Sequence, residues 1–138
     1  MMVRAFTDGA SRGNPGESGV GIILKDEHGN EISSTYGYIG KATNNVSEYR
    51  ALLACLTLVE KVACDHLVVH SDSELMVRQL TGKYKVKDPT LKQYVARVRE
   101  RLKNTSFKFE IIHVLREENS EADELANRGI DSRAPLKL

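Results

Sequence analysis

The sequence contains no tryptophan, only two cysteines and three prolines, no apolar run of membrane length and almost no net charge. Each absence excludes something. At 138 residues a folded chain buries roughly 68% of the surface its unfolded form exposes, so a core forms without disulfide or metal staples. Cys55 and Cys64 are expected near the end of one long helix, where nine residues separate them by about 13 Å on opposite faces, so no disulfide is expected. No His or Cys pair has zinc spacing, and His28, His66, His70 and His113 are scattered, which leaves oxygen ligands for any metal. No window approaches the roughly 20 apolar residues of a membrane span, and MMVRAFTDG lacks the features of a signal peptide. The expectation is a single cytoplasmic domain, residues 1–138, with no membrane partner.

A net charge of +1 argues against a protein that grips nucleic acid with its whole surface, but the distribution is uneven. Residues 1–77 carry −4, residues 78–103 carry +7 and residues 104–138 carry −2. Positive charge confined to one 26-residue block, with acids elsewhere, suits a polyanion-binding face beside an acidic, metal-binding one. A solvated basic helix is the plainer alternative.

Periodicity organises the chain. MVRAFTD alternates and breaks at Gly9, predicting a strand that ends at an acid, with Gly9–Ser18 as a turn. GVGIILK and residues 31–39 predict two more strands joined through the turn DEHGN. From Thr43 to about Ala63 there is no Gly or Pro, and Glu48, Leu52, Cys55, Val59 and Val62 recur at helical spacing. HLVVHS predicts a strand running into Asp72, SELMVRQL a short helix, and Pro89 opens a helix to about Lys103. FKFEIIHVL predicts a fifth strand, and Ser120–Arg128 a last helix stopping at Gly129, with residues 130–138 a loosely held tail. The order β-β-β-α-β-α-α-β-α predicts an α/β fold: a mixed five-stranded sheet, three strands antiparallel, flanked by about four helices.

Four carboxylates stand where solvated acids seldom do. Asp8 ends the first strand, Glu48 lies on the apolar stripe of the long helix, Asp72 ends the fourth strand and Asp123 sits in the first turn of the last helix. Each has a plain alternative: a turn former for Asp8, a helix cap for Asp72, a helix-dipole partner for Asp123, a hydrogen-bonded buried acid for Glu48. Jointly they say more. Two strands ending in acids, if adjacent, place those acids side by side, and like charges so placed repel unless a cation neutralises them. An all-oxygen donor set favours Mg²⁺ or Mn²⁺, and two such ions about 4 Å apart suit phosphodiester displacement.

The segments FTDGASRGNPGESGVGIIL, KATNNVSEYRALLACL, VVHSDSELMVRQL and HVLREENSEADELANRG, in that order, resemble the four signature blocks of type 1 ribonuclease H. The resemblance covers most of the chain. It implies the ribonuclease H-like fold and an endoribonuclease that cuts the RNA strand of an RNA/DNA hybrid with two Mg²⁺ or Mn²⁺ ions, leaving 5′-phosphate and 3′-hydroxyl ends. It implies Asp8, Glu48, Asp72 and Asp123 as the metal-binding acids. It also implies Asn14, Asn44 and Asn45 as contacts to the substrate backbone and ribose 2′-hydroxyls, and Thr43 as a contact to a DNA phosphate. A 2′-hydroxyl both donates and accepts, as amide side chains do. A helix N-cap is the plainer role for Asn44 or Asn45.

Three departures from the best-known bacterial members stand out. Their catalytic His is lacking, and Arg116, seven residues before Asp123, remains to hold phosphate or assist product departure; His113 is a rival expected to be structural. Their basic protrusion with stacked tryptophans is lacking too, leaving Lys83, Tyr84, Lys85 and Lys87 as a weaker basic connector. Glu74 stands where Gln is frequent, able to accept from a 2′-hydroxyl but repelling phosphate. The pattern is closer to the short archaeal-like branch, some members of which also cut double-stranded RNA. A monomer is expected. The competing readings are a catalytically silent hybrid-binding module and a DNA nuclease of the same superfamily.

Overall fold

The computed structural model describes residues 1–138. Its strands are β1 (Met2–Gly13), β2 (Gly16–Lys25), β3 (Glu31–Ala42), β4 (His66–Ser71) and β5 (Lys108–His113). Its helices are α1 (Asn44–Val59), α2 (Glu74–Leu80), α3 (Pro89–Lys103) and α4 (Ser120–Ser132), the last entered through a 3-10 turn at Arg116–Asn119. The strands form one mixed sheet of order β3-β2-β1-β4-β5, antiparallel on the β3-β2-β1 side and parallel from β1 through β4 to β5. The mixed five-stranded α/β architecture expected from the sequence is the one observed. No helix is long and apolar enough to cross a membrane.

The alternation of β1 explains the layers. Val3 and Ala5 point to one face, where they join Val20, Ile22, Leu67, Val69 and Ile111 under Leu52, Cys55 and Val59 of α1 and Leu91, Val95 and Val98 of α3. Asp8 pairs with Gly21 and Gly9 with Val20, so Gly9 and Gly21 face opposite sides of the sheet. A Cβ on Gly9 would lie 2.3 Å from the Ser47 carbonyl of α1, and one on Gly21 would lie 2.5 Å from the Ala122 carbonyl of α4. Glycine at these two places thus lets α1 and α4 press against opposite faces of the same strands.

Local signals set the helix starts. Thr43 caps α1 by accepting from the Val46 N–H at 3.1 Å, Ser73 caps α2 through the Met76 N–H at 3.2 Å, and Asp88 caps α3 with Pro89 in its first turn. The plainer N-cap role considered for Asn44 or Asn45 therefore belongs to Thr43, and the one considered for Asp72 belongs to Ser73.

Other expectations are corrected. The expected turn at Gly9–Ser18 is mostly strand: β1 and β2 stay paired out to Gly13 and Gly16, and the chain reverses at Asn14–Pro15. Helix α1 ends at Val59, not near Ala63, so Cys64 lies past the helix; both cysteines are free. Gly129 does not stop α4, which runs to Ser132 and ends at Arg133 in the left-handed region, φ 51°. The tail is not loosely held. Tyr38 N–H donates to the Ala134 carbonyl at 2.7 Å, Thr35 Oγ1 donates to the Lys137 carbonyl at 2.7 Å, and Leu136 packs against the core. The outer edge of β3 had unpaired backbone groups, and the tail satisfies some of them.

Candidate active site

Parallel pairing of β1 with β4 ends at Thr7 opposite Ser71, so Asp8 and Asp72 are the next residues of two neighbouring strands. Glu48 reaches the same spot from α1, where its Oε1 accepts the Gly9 N–H at 2.7 Å. Ligand oxygens of Asp8, Glu48 and Asp72 all lie within 4.8 Å of one another. Asp8 and Glu48 are each only 4% exposed. Asp123 joins from the opposite face through α4, whose entry is tied to β1 by Asn119 Nδ2 donating to the Thr7 carbonyl at 2.9 Å.

The electrostatics are those of a cluster short of positive charge. Burial, then the charges of Glu48 and Asp72 and a hydrogen bond with Asp123, push the Asp8 carboxyl far above its ordinary value. Burial and the charge of Asp72 likewise raise Glu48, against the Gly9 N–H, which pulls it down. Carboxylates this close ionise together only with a cation between them. An all-oxygen, anionic donor set of this kind fits a hard divalent ion such as Mg²⁺ or Mn²⁺, with Asp8, Glu48 and Asp72 as its holders.

The acids line one open pocket of about 440 Å³ that also receives Ser11, Arg12, Asn44, Ser73, Arg116 and Asn127. Arg116 is 81% exposed, with Nη2 3.9 Å from Asp123 Oδ1. His113 stands outside this pocket. It is exposed at the end of β5, in a groove with Arg78, Lys83 and Ile112.

Of the remaining candidates Asn44 alone lines the pocket, with Asn14 bonded to it, while the others lie outside. Asn14 Oδ1 accepts the Asn44 N–H at 3.1 Å, which brings the hairpin tip to the start of α1 beside Thr43 and Asn45. Glu74 faces solvent and pairs with Arg78 at 3.3 Å, so it lies off the pocket wall. Lys83, Tyr84, Lys85 and Lys87 are exposed beyond α2, with the Arg78 guanidinium 5.5 Å from the Tyr84 ring centre. Ser11, Arg12, Ser73 and Asn127 line the pocket without having been expected there. Asn127 had a signal, one helical turn after Asp123; Arg12 had one only for a strand extended past Gly9.

Comparison with known proteins agrees with this geometry. A profile of the reverse transcriptase-like family matches residues 6–129. Ribonuclease HI of Halobacterium salinarum is 42% identical over 130 residues, which cover 94% of this chain and 64% of that protein. Ribonuclease H of Methylococcus capsulatus is 33% identical over 143 residues, which cover 94% and 89%. The crystal structure of LC11-RNase H1 in complex with an RNA/DNA hybrid superposes with a TM-score of 0.90 at 41% identity, covering 94% of this chain and 97% of that one. The chain spans just under two thirds of the Halobacterium protein and 37% of its mycobacterial matches.

Proposed function

Because this chain belongs to the ribonuclease H group of the reverse transcriptase-like family, we propose that it is an endoribonuclease that hydrolyses the RNA strand of RNA/DNA hybrids. The observation that carries this reading is the meeting of Asp8, Glu48, Asp72 and Asp123, drawn from both faces of the sheet, in one pocket open to a polymer. Asp8, Glu48, Asp72 and Asp123 would hold two divalent ions, Mg²⁺ or Mn²⁺. Such ions, when bound, stabilise charge on the attacking and leaving oxygens of a phosphodiester displacement, which here yields 5′-phosphate and 3′-hydroxyl ends.

The chain's own residues do the rest. Asp8 and Glu48 are both buried and form the floor of the site, with the Gly9 N–H holding Glu48 in place. Arg116, exposed beside Asp123, holds phosphate and assists product departure. Asn14, Asn44 and Asn45 offer amides to ribose 2′-hydroxyls at the start of α1, and Thr43 contacts the DNA strand's phosphate. Glu74 accepts from a 2′-hydroxyl further along. Lys83, Lys85 and Lys87 track the backbone, and Tyr84 offers a ring for stacking. The protein acts as a cytoplasmic monomer, and double-stranded RNA, which shows the same 2′-hydroxyls, is a secondary substrate.

Strand-labelled RNA/DNA hybrid, single-stranded RNA, double-stranded RNA and double-stranded DNA, each incubated with Mg²⁺, Mn²⁺ or EDTA, test the reading. Cleavage of the hybrid's RNA strand, lost in EDTA, is expected. Cleavage of DNA, or hybrid binding with no cleavage under either metal, would overturn it in favour of a DNA nuclease or a silent binding module.

A further inference from the structure

The pocket holds two guanidiniums, and Arg12 is the one without a role. It stands on β1 on the same face as Asp8, four residues and about 13 Å further along the strand. Helix α4 holds it from the side. Arg12 Nη1 donates to Asp131 Oδ1 at 2.6 Å, and Nη2 donates to Asn127 Oδ1 at 3.3 Å. Asn127 in turn donates from Nδ2 to the Asp123 carbonyl at 3.0 Å. Asp123, Asn127 and Asp131 thus form one face of α4, and the guanidinium lies across it at the rim of the acidic pocket.

A guanidinium has five N–H donors, and these two bonds use two. The side chain is oriented before any ligand arrives, yet 48% exposed, and it is one of only two cations in a pocket otherwise walled by carboxylates and polar groups. An RNA strand whose cleaved phosphate sits over Asp8 and Asp72 would run past it. We propose that Arg12 is a substrate-binding residue that grips a backbone phosphate of the RNA strand flanking the cleaved one, with Asn127 and Asp131 as the residues that position it. This rests on the hybrid-cleaving reading above. The alternative is an exposed ion pair that merely clips the β1–β2 hairpin onto α4, and such pairs contribute little.

The two roles separate in cleavage kinetics of Arg12→Ala, Arg12→Lys and Asp131→Ala against wild type. Phosphate gripping predicts that Arg12→Ala raises KM about five- to tenfold with kcat within about twofold, and lowers the salt dependence of hybrid binding by about one counterion. Arg12→Lys recovers part of the loss. Asp131→Ala keeps the cation and loses only its orientation, so KM rises less than in Arg12→Ala and the salt dependence of binding stays at its wild-type value. A hairpin clip instead makes Arg12→Ala and Asp131→Ala equivalent, with matched changes in KM and Tm, and that result would overturn the proposal. Hybrid affinity of the Arg12 variants in an Asp72→Asn background separates this claim from its parent. If the wild type binds hybrid without cutting it, the nuclease reading fails while Arg12→Ala still weakens binding; an affinity unchanged by Arg12→Ala defeats the phosphate grip itself.

Discussion

Asp8 and Glu48 are carboxyls held in a place that disfavours their charge. A carboxyl whose folded-state value is raised keeps its proton after the unfolded chain has lost it, so it favours folding at low pH and loses that advantage as pH rises through the folded value. The metal-free protein is therefore expected to lose Tm steadily from about pH 5 toward pH 9. Mg²⁺ or Mn²⁺ should restore it, with a larger shift at higher pH because the ion binds the deprotonated cluster. Asp8→Asn should flatten the metal-free slope. Thermal melts across that range check this, and a metal-free Tm that climbs with pH would contradict it. At this scale much was legible in the sequence: strand ends and an apolar stripe singled out the four acids before any contact was known. Arg12 was not legible, because its significance depends on a partner 119 residues away.

Gly129 shows how an element can mislead. In sequence it reads as a helix stop, but α4 continues through it because the helix packs onto β3 there: a Cβ on Gly129 would lie 2.5 Å from the Gly37 carbonyl. The need is for close approach, not for a left-handed backbone. Gly→Ala inside a helix ordinarily stabilises by about 1 kcal/mol. Here Gly129→Ala is expected to destabilise by about 1–3 kcal/mol, the cost of overpacking, and denaturant unfolding measures the sign directly. The hairpin misled for the opposite reason. Glycines, serines and Pro15 spread turn chemistry over ten residues, while the reversal itself needs only Asn14–Pro15, and cross-strand pairing claims the rest. By contrast β4 and α3 follow the sequence closely, since one is a short apolar run and the other has both a capping Asp88 and Pro89.

Across the whole molecule, cations are distributed unequally in their partners as well as in number. Arg12, Lys25, Arg78, Arg101, Arg116, Arg128 and Arg133 each have a carboxylate within 4.0 Å; Arg4, Lys41, Arg50, Lys61, Lys108 and Lys137 have none, and neither do Lys83, Lys85, Lys87, Lys92, Arg97, Arg99 and Lys103 of the basic block. All seven are exposed on the connector and α3; six have nothing nearby to neutralise them except solvent ions, and Arg97 lies over the Tyr94 ring. Released counterions then drive binding, so replacing Lys83, Lys85 and Lys87 together by Ala should reduce the salt slope of hybrid affinity by up to about three, with Tm nearly unchanged. An unchanged slope in filter-binding titrations would remove the connector from the interface. The charge block was plain in the sequence, but its freedom from ion pairs needed the fold.

The central claim is that one pocket, assembled from four elements, holds the metals that cut RNA paired to DNA. Single-turnover cleavage of an RNA/DNA hybrid by wild type, Asp8→Asn, Glu48→Gln, Asp72→Asn and Asp123→Asn, each with Mg²⁺ and with Mn²⁺, tests it most directly. RNA-strand cleavage by the wild type is expected under at least one metal. Rates should fall by about a hundredfold or more in every amide variant, a barrier increase of about 2.7 kcal/mol, with hybrid affinity retained. Wild-type rates in the variants at the three clustered acids, or cleavage that persists in EDTA, would contradict it.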